Sequence, residues 1–219
     1  MLEKSMKCKK ILYLGLDPSR YICEGEVTHI PVIKIVPRPF DQAIKEAFDK
    51  MAIYTHVLFT SRSAIPLFLE YAVKAGYSAN ELAKKIYIAV GKATAQRLKE
   101  YGWEVEHVAQ VETAEGVISL CDRLNLKGHL FFPRSAQGRG LLHDYFKQRK
   151  VRFTCIDLYE TVPNEVELPD LNLFDQVVFT SPSTVHAFFS VTDKKIALQK
   201  CRGLGPVTQQ ALKEFFRNQ

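Results

Sequence analysis

The sequence predicts an α/β protein of two related domains, each a parallel sheet flanked by helices, joined by a two-strand linker. Three observations predict this. Short apolar runs alternate with amphipathic segments of helical length along the 219 residues, the pattern of parallel strands with helical crossovers. The halves repeat: "VLFTSRSAIPLFLEY" is echoed by "VVFTSPSTVHAFFSV", and "VGKATAQRLKEYG" by "LGPVTQQALKEFF", in the same order. Two stiff extended segments, "IPVIKIVPRPF" and "LYETVP", sit where the chain would cross between lobes.

The elements follow in chain order. Lysines precede the apolar "KILYL", a first strand over 10–14, and Asp17-Pro18 ends it. A strand over 29–36 carries Pro31 and runs to Pro37 and Pro39, the first crossing. A helix over 40–51 leads to a strand over 56–59, whose apolar run stops at Thr60 and Ser61. Helices over 63–76 and 79–84 precede a strand over 85–90. In the helix over 92–101, Ala95, Leu98 and Tyr101 recur at helical spacing, and Gly102 suits its C-terminal cap. A strand over 104–108, a helix over 114–124 and a strand over 129–132 come next. A helix over 140–150 leads into a strand over 152–159 and the second crossing. A strand over 176–179, a helix over 183–190, a strand over 200–204 and a helix over 207–217 complete the chain. This assigns 1–36 plus 163–219 to a discontinuous first domain and 39–158 to the second. The linkers lie near 36–39 and 158–163, a hinge in principle.

Composition excludes several classes. The chain is 47% hydrophobic and 25% charged, ordinary for a globular protein. No apolar run approaches the roughly 20 residues that span a bilayer, so no membrane partner is expected and the expected location is cytoplasmic. The formal net charge is +6 without a long basic run. That potential steers acidic partners, and no nucleic-acid-binding signature accompanies it. The five cysteines are odd in number and lack metal-ligand spacing, so reduced structural thiols and no metal are expected. The six histidines show no ligand pattern either, and no Ser-His-Asp order appears.

The chemistry concentrates at strand ends. Each Phe-Thr-Ser-x-Ser copy places hydroxyls where a strand turns into a helix: Thr60, Ser61 and Ser63, then Thr180, Ser181 and Ser183. Such hydroxyls cap the helix. The free amides and dipole of a helix start also attract anions. Gly91 with Thr94 and Gly205 with Thr208 repeat the arrangement, glycine allowing a sharp turn and close approach. "GKAT" is no P-loop, because the upstream glycine is missing and Ala93 replaces the magnesium-binding hydroxyl. "GRGLLH" also fails the dinucleotide pattern, so no nucleotide cofactor is expected. In "FFPRSAQGRGLL", Arg134, with Arg139, is placed to clamp carboxylates, and Ser135 stands beside it. Tyr159 lies in the second crossing, where a phenol facing the space between the lobes can donate a proton.

The paired motifs "FTSRSAI … YIAVGKATAQRLKEYG" and "VVFTSPSTV … GLGPVTQQAL", with "FFPRSAQGRGLL" and "LYETV", resemble the uroporphyrinogen-III synthase family. The resemblance runs through nearly the whole chain in order. One departure is "LGLDPSR", where the family often has Arg-Pro after its first strand; Arg20 is the nearest substitute. The resemblance implies an active site in an interdomain cleft, no metal and no organic cofactor. It implies hydroxymethylbilane, a linear tetrapyrrole with eight carboxylates, as substrate. The implied reaction loses the terminal hydroxyl as water, inverts ring D through a spirocyclic intermediate and closes the macrocycle. Tyr159 is then expected to assist hydroxyl departure. Thr60, Ser61, Ser63, Gly91, Thr94, Arg134, Ser135, Thr180, Ser181, Ser183, Gly205 and Thr208 are expected to hold acetate and propionate groups. A monomer is expected. The competing expectation is a non-catalytic bilobal module that binds an anionic tetrapyrrole or another polycarboxylate.

Overall fold

The computed structural model describes residues 8–19, 21–192 and 195–217. Arg20, the expected substitute for the family's arginine, lies outside them. The chain forms two compact units, Met1–Ile35 with Thr161–Gln219, and Val36–Glu160.

The first unit holds a four-stranded sheet. Its strands are β1 (Lys10–Tyr13), β2 (Glu26–His29), β9 (Gln176–Phe179) and β10 (Cys201–Gly203). They lie in the order β10-β9-β1-β2, and every pair is parallel. Helices α7 (Pro182–Val191) and α8 (Pro206–Arg217) pack on one face, where Phe188 and Leu212 meet Leu12, Leu14, Val177 and Phe179. Side chains alternate along a strand, so Ile11, Tyr13 and Val178 face the other way. There they meet Tyr21 and Cys23 from the β1–β2 connection, which contains no helix among its described residues. Helices therefore cover this sheet on one face.

The second unit is built on β4 (His56–Phe59), β5 (Ile86–Ala89), β6 (His107–Val108), β7 (Leu130–Ser135) and β8 (Phe153–Pro163). Their order is β8-β7-β4-β5-β6, again parallel throughout. Its helices are α1 (Gln42–Asp49), α2 (Ala64–Lys74), α3 (Ala79–Leu82), α4 (Lys92–Glu100), α5 (Ala114–Leu124) and α6 (Leu141–Gln148). The core centres on Phe131, whose ring lies 4.7 Å from Tyr54, 5.2 Å from Phe48 and 5.9 Å from Phe68. The remaining strand, β3 (Ile33–Pro37), neighbours β8. Arg38 donates its amide to Leu158, and Asn164 donates to Val32, so the two chain crossings run in opposite directions.

Several expected elements change, among them the strand over 104–108, of which only His107–Val108 is strand. The single strand over 29–36 is two strands, β2 and β3, because Pro31 lies between them and has no amide to give a ladder. The strand over 129–132 continues to Ser135 through Pro133. Pairing with β4 ends at Phe131, so the missing Pro133 amide breaks no bond on that side. The strand over 152–159 continues through the second crossing to Pro163.

Two glycines are fixed by what approaches them. A Cβ on Gly116, at the start of α5, would meet the Val111 backbone carbonyl. A Cβ on Gly91, just before α4, would instead meet the Glu112 carboxylate. A side chain can swing aside and a packed carbonyl cannot. Gly116→Ala is therefore expected to cost about 1–3 kcal/mol by overpacking. Gly91→Ala should cost well under that, mainly a weakened helix-start contact of about 0.3–1 kcal/mol. Denaturant unfolding of both variants checks the order; equal losses would refute it.

Burial also sets the alkaline limit. It pushes the Cys121 and Cys201 thiols up to about 12, and it raises the Tyr87 phenol. In the unfolded chain thiols ionise near about 8.5 and phenols near about 10. The folded state keeps these protons where the unfolded state releases them. Their contribution is complete below about pH 8.5 and is lost as pH rises toward the folded values. The urea midpoint should fall steadily from about pH 8.5 upward; a flat profile to about pH 10.5 would contradict this.

Candidate active site at the strand ends

The repeat extends to burial. Over 57–70 and 177–190 the buried, half-buried and exposed positions match one for one. In both copies four half-buried residues, 60–63 and 180–183, separate a buried strand from a buried helix face. The interiors agree, and the polar rims then diverge.

In the second unit, β4 ends at Phe59 and α2 begins at Ala64. Ser63 is the N-cap residue but makes no side-chain cap bond. Its amide donates instead to the Ser61 hydroxyl at 3.2 Å. Tyr159 reaches this turn from β8, close enough for the Ser61 and Ser63 side chains to act on its phenol. The Tyr159 side chain is only 2% exposed. Burial raises its pKa, and the two serine hydroxyls draw it partly back down. A phenol so placed stays protonated at neutral pH and lies beside two half-buried serines. Three residues singled out in the sequence thus converge on one point.

In the first unit the same turn closes on itself. Ser181 is the N-cap of α7 and accepts from the Thr184 amide at 3.3 Å. The Thr184 hydroxyl accepts from the Thr180 and Ser181 amides at 3.1 and 3.2 Å. Pro182 at the first helical position presets its backbone. The copy in the other unit has Ala64 where this one has Thr184, so it has no hydroxyl to reach back. Ser183 is half-buried beside them.

The Gly-x-x-Thr loops also differ. Thr94 and Thr208 are 4% and 3% exposed, so both side chains belong mainly to the interior. The Thr208 hydroxyl donates to the Leu204 carbonyl at 3.5 Å. Gly205 adopts φ +98, a left-handed turn with open space beside it. Gly91 is extended, and the group approaching it is the chain's own Glu112, whose Oε1 accepts from the Lys92 amide at 2.8 Å. An anion does approach this glycine, as expected of the motif, and it is internal.

Arg134 is committed to the fold. Its Nε donates to Asp157 Oδ1 at 2.8 Å, and Arg38 stands 3.9 Å from the other carboxylate oxygen. Ser135 donates to Gln137 Oε1 at 2.8 Å. Arg139 lies 3.7 Å from Glu115 on the surface. Sequence reasoning missed Thr184, Asp157 and Glu112. The spacing Ser181-x-x-Thr184 is a capping-box signal with a hydroxyl in place of Glu or Gln. Asp157 and Glu112 are distant in sequence from the groups they bind, and no local pattern marks them. No group of three or more His, Cys, Asp or Glu among the described residues is placed to hold a metal ion. No helix among the described residues is long and apolar enough to cross a membrane.

A family model described as Uroporphyrinogen-III synthase HemD matches residues 23–216. The chain is 24% identical over 216 residues to the "Porphyrin biosynthesis protein HemD" of Ruminiclostridium josui. That alignment covers 94% of this chain and 41% of the relative, so the chain spans about two fifths of that protein's length. It is 26% identical over 175 residues to the "Uroporphyrinogen-III synthase" of Chlorobaculum parvum, covering 74% and 70% of the two chains. Among solved structures, a mutant uroporphyrinogen III synthase of Thermus thermophilus superimposes with TM-score 0.63 at 20% identity, covering 95% of this chain and 90% of that one. The uroporphyrinogen-III synthetase of Helicobacter pylori gives 0.61 at 15% identity, covering 95% and 89%. These likenesses establish the fold. With the family model matched across nearly the whole chain, the protein belongs to the uroporphyrinogen-III synthase family.

Proposed function

We propose that the chain catalyses the dehydrative cyclisation of hydroxymethylbilane to uroporphyrinogen III, with inversion of ring D. The observation that carries this reading is the family match over residues 23–216. The strand-end chemistry is compatible with it. The linear substrate is reactive and closes unaided to the uninverted isomer. The protein's task is to orient the chain while one hydroxyl leaves, a task of positioning and differential stabilisation.

In this reading the Tyr159 phenol is the proton source. The bond from the terminal methylene carbon to its hydroxyl oxygen breaks, and the electron pair leaves with the oxygen. The proton passes from Tyr159 to that oxygen through the Ser61 or Ser63 hydroxyl, and water departs. The pyrrole nitrogen stabilises the resulting azafulvene cation. The proton released on ring closure restores the phenol. Burial favours the neutral phenol, so the donor is charged with its proton before each turnover. The half-buried hydroxyls at 60–63 and 180–183, the open turn at Gly205 and Ser135 are the proposed partners of substrate carboxylates. Arg134 supports Ser135 through Asp157 and the loop that follows. No metal or organic cofactor is needed for this sequence of bond changes.

Tyr159→Phe is expected to lower turnover to the type III isomer by about 10²–10⁴-fold, the usual worth of positioned acid catalysis. The assay supplies hydroxymethylbilane from its synthase and resolves the product isomers. Unchanged type III turnover would remove Tyr159 from this role. If the wild-type chain yields only the type I isomer, the enzyme reading itself falls and a polycarboxylate-binding module takes its place.

A further inference from the structure

A pocket lies in the Val36–Glu160 unit, away from the strand ends described above. It encloses about 540 Å³ where β7 and β8 begin, at Leu130 and Phe153, and where α5 and α6 finish. The loops with Thr60 and Ser135 leave the carboxyl ends of their strands, so this pocket is at the other end of the same sheet. Its volume is within the usual range for small-molecule sites, about 300–1,000 Å³.

The lining is strongly cationic. Arg149, Lys150 and Arg152 meet there, and Asp122 is the one acid among the lining residues. That acid is already engaged: its Oδ1 accepts from Arg149 Nη2 at 2.5 Å and from the Tyr145 hydroxyl at 2.9 Å. The guanidinium also lies over the Tyr145 ring, 5.8 Å from its centroid. Arg149 is thus held in place with donors to spare. No carboxylate pairs with Lys150 or Arg152 among the described residues. Cations near helix C-termini often only balance the helix dipole. Here Arg123 and Lys147 already occupy the last turns of α5 and α6. Lys150 and Arg152 lie beyond the helix ends.

The backbone at Lys150 adds an independent observation. It adopts φ 55, in the left-handed region, directly after α6. Glycine is the usual residue at such a position because a side chain costs roughly 1–2 kcal/mol there. A lysine stands where glycine would be less strained, and it lines the pocket.

We propose that this pocket is a second binding site, for a small multivalent oxyanion bearing phosphate or carboxylate groups. Arg149 supplies the fixed fork, Lys150 and Arg152 the additional charge, and Val151 and Leu126 an apolar wall for the ligand body.

The test titrates the full chain with pyrophosphate and, separately, with citrate at constant ionic strength, by calorimetry. Saturable binding of one or both is expected; pyrophosphate alone would identify a phosphate ligand, citrate alone a carboxylate one. Lys150→Gly should weaken binding about tenfold, the value of one charge-assisted contact. It should also leave thermal stability unchanged or raised, since glycine relieves the left-handed backbone. Arg152→Gln should weaken binding similarly. Absence of saturable binding beyond a sodium chloride control would overturn the proposal. So would unchanged affinity in the Lys150→Gly, Arg152→Gln double variant, which would place the anion at the other end of the sheet.

Discussion

A parallel strand cannot be joined to its neighbour by a tight turn, and the rest of this molecule depends on that constraint. Each strand must be re-entered from the same end, so its carboxyl end opens into a turn and, in most cases here, a helix start. Polar loops then gather at one edge of each sheet, while the central strands β1, β4, β5, β7 and β9 are largely buried. Thr60, Ser61, Gly91, Ser135, Thr180 and Gly205 are at strand ends because parallel pairing leaves no other place for a chain reversal. The chain leaves its first unit by β3 and rejoins it by β8, and these two strands are sheet neighbours.

What could be read from the sequence follows from which forces are local. Apolar periodicity placed the strands at 56–59 and 176–179 and the helix at 114–124 at their observed limits. The duplicated motifs were visible because packing demands the same residue sizes at the same steps. The misreadings occur where a distant partner decides. Pro133 looks like a strand terminator, and only the short reach of β4 permits it inside β7. Arg134 looks like an open carboxylate clamp, and Asp157 on the neighbouring strand occupies it. Glu112 carries no mark of its role, because its contact with the start of α4 is made through folding and not through spacing.

Tyr159 shows how burial and neighbouring hydroxyls act in opposite directions on one phenol. Desolvation keeps the phenol neutral, and serine hydroxyls give it direction. Neither effect requires an ion pair, and both are built from residues whose positions the fold already fixes. The cationic pocket at the far end of the sheet is built differently, from charges beyond helix ends. One sheet therefore carries an edge whose charges are largely paired, as in Arg134 with Asp157, and another where cations are in excess.

The matched interiors of 57–70 and 177–190, with unmatched rims, separate what must be inherited intact from what is free to drift. Substitutions on either flank disturb a packed core, whereas the four rim positions can change with little repacking. Yet the copies also differ just inside the flank, where fully buried Ala64 in one corresponds to fully buried Thr184 in the other. A symmetric holder cannot tell one end of a chain molecule from the other. Unequal turns on interiors of matching burial are what would let a duplicated scaffold distinguish them.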